Sequence, residues 1–168
     1  QSDKEIIVSG NLKAKDYVVQ GDISSQFITG FMFVLPLLNQ DSTLTITEPY
    51  ESKSYVNLTI QMLAKFGIEI IETSSNSYLI KGNQHYKAQN VSVEGDFSQL
   101  AFFAVLGTLN NTLSCSNMDM SSKQGDKAIL DCIPSFTSEK DTITFTNKKP
   151  IPQTIDLSNC PDLGPILC

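Results

Sequence analysis

The chain contains no arginine: all twelve basic residues among its 168 are lysine. Arginine is the side chain that grips phosphate and carboxylate with two parallel hydrogen bonds. An anion site built from this sequence must therefore use helix N-termini, hydroxyls, amides and lysine, or take arginine from elsewhere. The lysines do not cluster and the formal net charge is −6, which argues against a nucleic-acid surface. No Cys-x-x-Cys pair occurs among the four cysteines, Cys115, Cys132, Cys160 and Cys168. No metal site is expected, and the four are expected to be reduced thiols of a cytoplasmic protein. The longest apolar run, residues 31–38, is too short to span a bilayer and holds Pro36, so no membrane partner is expected. The polar opening, Gln1 to Glu5, shows no signal-peptide pattern. It does not start with Met, so the chain is expected to be processed or cut from something longer.

What is present is enough for a core. The chain is 40% hydrophobic and 18% charged, and its length suits one ordinary domain or two small ones. Laid against itself, it repeats. Gly21-Asp22-Ile23-Ser24 resembles Gly95-Asp96-Phe97-Ser98. Each is preceded by a β-type stretch, residues 17–20 and 91–94. Each is followed by an apolar helical run, residues 27–38 and 100–109, and then a β-rich stretch, residues 42–47 and 112–115. A second helix comes next, residues 54–66 and 124–133, the latter closed by Pro134. Two short strands end each copy: residues 69–72 with 77–81, and a strand near Thr137 with residues 142–146. The order is β-α-β-α-β-β, twice, an α/β class of fold. In the helix over 54–66, Tyr55, Leu58, Met62, Leu63 and Phe66 share one face, and Gly67 follows as a C′ residue. Ser75-Asn76 supplies a turn. A third copy is expected to start at residues 154–157 and to stop inside its first helix. Because a natural domain rarely ends inside an apolar helix, the C-terminus is expected to be a truncation.

Three stretches carry polar groups suited to chemistry. Ser24-Ser25-Gln26 follows a strand and opens a helix, where unpaired N–H groups and two hydroxyls suit a phosphate or carboxylate; plain N-capping explains the same residues. Ser52-Lys53-Ser54-Tyr55 also leads into a helix. There Ser54 reads as a cap and Tyr55 as a half-buried aromatic, or the pair as a hydroxyl and a flat ring for a phosphorylated six-membered ring. Asp162 opens the third copy, as a dipole partner or, in a cleft, as a proton acceptor.

The ordered set Gly-Asp-x-Ser-Ser-Gln-Phe from Gly21, Ser-Lys-x-Tyr-Val-x-x-Thr from Ser52, Lys-Phe-Gly-Ile from Lys65, Val-Glu-Gly-Asp from Val93, Gln-Gly-Asp from Gln124 and Asn-x-Pro-Asp from Asn159 resembles the 5-enolpyruvylshikimate-3-phosphate (EPSP) synthase family. The resemblance runs over essentially the whole chain and implies an internal piece of a two-domain fold of β-α-β-α-β-β units. It implies that Ser24, Ser25 and Ser52 hold the phosphate of shikimate-3-phosphate. Gln26 would sit between that substrate and phosphoenolpyruvate, Tyr55 would pack on the shikimate ring, and Asp162 would bind ring hydroxyls and act as base for the 5-hydroxyl. The implied reaction transfers the enolpyruvyl group from phosphoenolpyruvate to that hydroxyl, with no metal or organic cofactor. The phosphoenolpyruvate partners, lysine and arginine, are implied to lie in segments of the same enzyme outside this chain. The resemblance also places a domain boundary near Val93-Glu94. Residues 1–92 would belong to the shikimate-phosphate side and residues 93–168 to the phosphoenolpyruvate side, with apolar surface left exposed where further repeats would pack.

Ser54 departs from the family, where proline is common. Asp96-Phe97-Ser98-Gln99 lacks the second serine and reads as structural. Two other readings are a sibling enzyme transferring enolpyruvyl to a UDP-amino sugar (UDP-N-acetylglucosamine), and a folded fragment or repeat module without activity.

Overall fold

A computed structural model describes residues 5, 7–109, 112–133, 135–148 and 151–168. Pro134 lies outside the described residues. The first repeat is complete and in the expected order: β1 (Asp16–Gln20), α1 (Ser25–Val34), β2 (Ser42–Thr47), α2 (Lys53–Lys65), β3 (Ile70–Ser74) and β4 (Ser77–Ile80). β1 runs parallel to β2, β2 antiparallel to β4, and β4 antiparallel to β3, giving the sheet order β1-β2-β4-β3. Alternation in Ser42-Thr43-Leu44-Thr45-Ile46-Thr47 sends Leu44 and Ile46 into the core. There they meet Ile28 and Met32 of α1, Val56 and Leu63 of α2, and Tyr78 of β4. The Tyr78 hydroxyl, carried inside by its ring, pairs with Tyr50 at 3.1 Å.

α2 closes as its sequence requires. Gly67 takes φ 82°. Gly67 N–H reaches Ala64 O at 3.0 Å and Ile68 N–H reaches Leu63 O at 3.0 Å, while Leu63 and Ile68 are both buried. That is a Schellman cap with its apolar contact.

The second repeat keeps the same order less one strand: α3 (Phe97–Leu109), β5 (Leu113–Cys115), a 3-10 turn over Gly125–Ala128 running into α4 (Ile129–Cys132), then β6 (Phe136–Glu139) and β7 (Thr142–Phe145). Its sheet order, β5-β7-β6, matches β2-β4-β3 of the first. The strand expected over residues 91–94 does not pair. Val93 stands 75% exposed, and the stretch is held by isolated bonds in place of a ladder: Gly95 N–H to Asn117 O at 2.6 Å, Asn117 Nδ2 to Val93 O at 3.2 Å and Ser122 Oγ to Glu94 Oε1 at 2.8 Å. The strand expected over residues 154–157 is likewise unpaired; it leads into a 3-10 turn, Pro161–Leu163, and the short α5 (Gly164–Leu167). The second core gathers Phe97, Leu100, Ala101 and Ala104 of α3 with Ile129, Ile143, Phe145 and Leu163.

α3 is apolar all round. One side enters that core, whereas Phe102, Phe103, Leu106 and Leu109 are exposed; Phe27, Phe33 and Val34 of α1 are exposed too. Exposed apolar surface of this kind is what the family resemblance implied. All four cysteines are free thiols, and among the described residues no helix is long and apolar enough to cross a membrane.

Candidate functional site

The site is built at the C-terminal ends of the parallel strands β1 and β2. Each strand there turns into a helix whose first N–H groups are unpaired by the helix itself. Gly21, at the end of β1, lets the two turns touch. A Cβ on it would stand 2.5 Å from Thr47 O and 2.6 Å from Pro49 O. Glu51 N–H donates to Gly21 O at 3.3 Å. The start of α1 and the start of α2 are thus neighbours on one sheet edge.

Ser24 is extended, φ −172°, and caps α1: its Oγ accepts from Gln26 N–H at 3.2 Å. Ser25 opens the helix half-buried, and Gln26 is exposed beside it. Ser52 precedes α2 in the left-handed region, φ 56°, with no side-chain cap bond. Its hydroxyl is not spent on capping. Ser54, expected to cap α2, does not: its Oγ donates to Asn159 O at 2.8 Å, because the helix begins earlier, at Lys53.

Asn159 belongs to the loop that carries Asp162, and a second bond holds that loop to α2. Ser52 N–H donates to Ser158 O at 2.9 Å. Asp162 follows on the 3-10 turn, exposed. Gly125 makes this contact possible. A Cβ there would lie 2.0 Å from Asn159 O and 2.5 Å from Ser54 Oγ, so only glycine fits between the three segments.

Beyond lies a cleft of about 700 Å³ between α2 and the second repeat, lined by Tyr55, Leu58 and Met62 on one side and by Asp96, Met118, Asp126 and Asp162 on the other. The apolar stripe expected to bury one face of α2 therefore divides. Leu63 joins Val56 in the core, while Tyr55, Leu58 and Met62 look into the cleft. Tyr55 and Asp162 both line it. Ser24, Ser25, Gln26 and Ser52 do not line it; they sit at the adjoining sheet edge.

Asp126 was not among the candidates from sequence. It is only 2% exposed, and its Oδ2 accepts from the Tyr55 hydroxyl at 2.8 Å. Burial pushes its carboxyl above the usual range. The Tyr55 hydrogen bond opposes the shift, and the neighbouring Asp162 and Asp96 add to it. Tyr55 is pushed well up as well, by burial first, then by its bond to Asp126 and by the charges of Asp126 and Asp162. The signal available in the sequence was Gln124-Gly125-Asp126. Gln124 Oε1 accepts from Phe97 N–H at 2.8 Å, and its Nε2 donates to Glu94 Oε1 at 3.0 Å and to Gly95 O at 2.9 Å, so the triplet pins α3 and the Tyr55 partner together.

Two helix starts with free N–H groups lie beside a cleft that holds a tyrosine and carboxylates, groups that suit a ligand carrying an anion and hydroxyls. The sequence model of the family described as EPSP synthase (3-phosphoshikimate 1-carboxyvinyltransferase) matches residues 2–168, and the chain belongs to that family. A 3-phosphoshikimate 1-carboxyvinyltransferase of Clostridium kluyveri is 45% identical over 166 residues, covering 96% of this chain and 39% of the relative. One of Clostridium acetobutylicum is 48% identical over 162 residues, covering 95% of this chain and 38% of the relative. The chain thus spans well under half the length of these relatives. A solved EPSP synthase from Acinetobacter baumannii superimposes with a TM-score of 0.61 at 18% identity, over 82% of this chain and 32% of that one, which supports the enolpyruvyl transferase fold.

Proposed function

We propose that this chain forms the shikimate-3-phosphate side of an enzyme that transfers the enolpyruvyl group of phosphoenolpyruvate to the 5-hydroxyl of shikimate-3-phosphate. One arrangement supports the reading: the starts of α1 and α2 lie together on one sheet edge, and Ser52 N–H to Ser158 O brings the Asp162 loop beside them. Ser24, Ser25 and Ser52 hold the phosphate with hydroxyls and helix N–H groups. Gln26 reaches between the two substrates, and Tyr55 faces the ring. Asp162 takes the proton of the 5-hydroxyl as its oxygen attacks C2 of phosphoenolpyruvate and C3 gains a proton. The tetrahedral intermediate then loses inorganic phosphate and a C3 proton, regenerating the double bond. Arginine and lysine for phosphoenolpyruvate come from other segments of the same enzyme, since this chain has no arginine.

Residues 1–92 belong to one domain and residues 93–168 to the other, the reaction takes place between them, and the enzyme acts in the cytoplasm without a nucleic-acid or membrane partner. The chain by itself lacks the anion clamp that stabilises the transition state, so it does not turn over.

The test is phosphate release from phosphoenolpyruvate and shikimate-3-phosphate by the protein expressed from its complete gene. Release dependent on both substrates is expected, and its absence overturns the reading. Turnover by this chain alone at the rate of the complete protein overturns the division of labour.

A further inference from the structure

We propose that Asp126 is a positioning residue: it accepts the hydrogen bond of the Tyr55 hydroxyl and so leaves the Asp162 carboxylate free to accept a proton from substrate. This rests on the enolpyruvyl-transfer reading above. A phenol has one proton to donate, and two carboxylates border the Tyr55 hydroxyl. Asp126 Oδ2 receives it at 2.8 Å. Asp162 lines the same cleft, and its charge acts on the hydroxyl. A tyrosine that donated to Asp162 would occupy the base and weaken its hold on a substrate proton.

The place of Asp126 is fixed from both sides. Gly125 is wedged against Asn159 O and Ser54 Oγ, and Gln124 is held by Phe97, Glu94 and Gly95. The bond of Asp126 to Tyr55 ties α2 to the second repeat, but through one carboxylate oxygen alone. Among the described residues its Oδ1 is buried with no hydrogen-bond partner. A buried carboxylate with one oxygen unpaired is destabilising, and an apolar side chain of similar size would pack there without that cost. What it gains is a fixed acceptor opposite Asp162, joined to a residue on the other repeat.

Two measurements test this. In the protein expressed from its complete gene, Asp126→Ala is expected to lower kcat about 10–100-fold, the equivalent of one charge-assisted hydrogen bond lost in a buried site, with KM for shikimate-3-phosphate moving less than about threefold. Adding Tyr55→Phe to Asp126→Ala removes the competing proton and is expected to bring kcat back to the level of Tyr55→Phe alone. A double variant no better than Asp126→Ala, or a loss confined to KM, overturns the proposal. The second measurement uses this chain and no substrate: the NMR resonance of the Tyr55 ζ-carbon, which follows the hydroxyl's acceptor. Asp162→Asn, at an exposed position, is expected to leave it in place while Asp126→Ala moves it. Movement on Asp162→Asn overturns the proposal whether or not Asp126→Ala folds. If the parent protein releases no phosphate, the enolpyruvyl reading fails, and the carbon resonance still decides which carboxylate accepts the hydroxyl's hydrogen bond.

Discussion

Gly125 and Ser54 meet with no room for a side chain between them: a Cβ on Gly125 would stand 2.5 Å from Ser54 Oγ and 2.0 Å from Asn159 O. The second of these neighbours is backbone and cannot rotate away. Gly125→Ala is therefore expected to push the Asn159 loop off the first turn of α2. The bonds from Ser54 Oγ and from Ser52 N–H would lengthen together. A destabilisation of about 1–3 kcal/mol is expected from overpacking, measured by urea unfolding. A variant as stable as the parent would mean that the loop is not held here in solution.

Asp126 makes stability depend on pH in an unusual direction. Its folded carboxyl is raised above the ordinary value, by burial first. The folded state therefore binds its proton more tightly than the unfolded state does. The stability this contributes is fully present below the ordinary carboxyl range and is lost as pH rises through the raised value. Asp126→Asn cannot ionise and keeps an acceptor oxygen. It is expected to be more stable than the parent at neutral pH, with the difference shrinking as the solution is made acidic. Thermal melts across that range would read it. An equal difference at every pH would show that the carboxyl ionises no differently in the fold.

The first repeat was legible because each of its signals is local. Thr43-Leu44-Thr45-Ile46 alternates, α2 is periodic, and Gly67 ends it with a cap that the sequence alone specifies. The second repeat was less so. Val93 and its neighbours have the composition of a strand, yet composition does not provide a partner, and residues 91–94 stay unpaired. The helix expected over residues 124–133 instead begins as a 3-10 turn, where Gly125 is pressed against Asn159. The site shows the same division. Ser24 was readable as a cap, since its bond is two residues long. Asp126 was not, because its partner Tyr55 is 71 residues away and an acid at a helix start looks like a dipole partner.

Lys53 sits inside the Ser-Lys-x-Tyr motif but is turned away from the site. Its Nζ bonds Glu72 at 2.8 Å and Ser75 O at 2.6 Å, and lies 5.8 Å from the Tyr50 ring centroid. A partly exposed pair of this kind contributes about 0–1 kcal/mol. Lys53→Met is expected to change unfolding free energy by no more than that. It is also expected to leave shikimate-3-phosphate affinity within about threefold, less than the tenfold that 1.4 kcal/mol would bring. Calorimetry showing a loss of tenfold or more would place the lysine on the substrate.

Ser24 and Ser25 separate the structural and the binding roles of the α1 start. Ser24 Oγ caps the helix through Gln26 N–H, so Ser24→Ala is expected to cost about 1 kcal/mol of stability. Ser25 already lies within the helix and is not its cap, so Ser25→Ala is expected to change stability by less than about 0.5 kcal/mol. If both hydroxyls hold the phosphate, the two variants weaken shikimate-3-phosphate binding alike although only one lowers the melting temperature. Each lost bond to a charged group corresponds to about 1.5–3 kcal/mol, roughly ten- to a hundredfold in affinity. Melting curves and calorimetry on the same samples give both readings. Tight binding that survives Ser24→Ala combined with Ser25→Ala would remove the phosphate from this helix start and leave the serine pair as a cap alone.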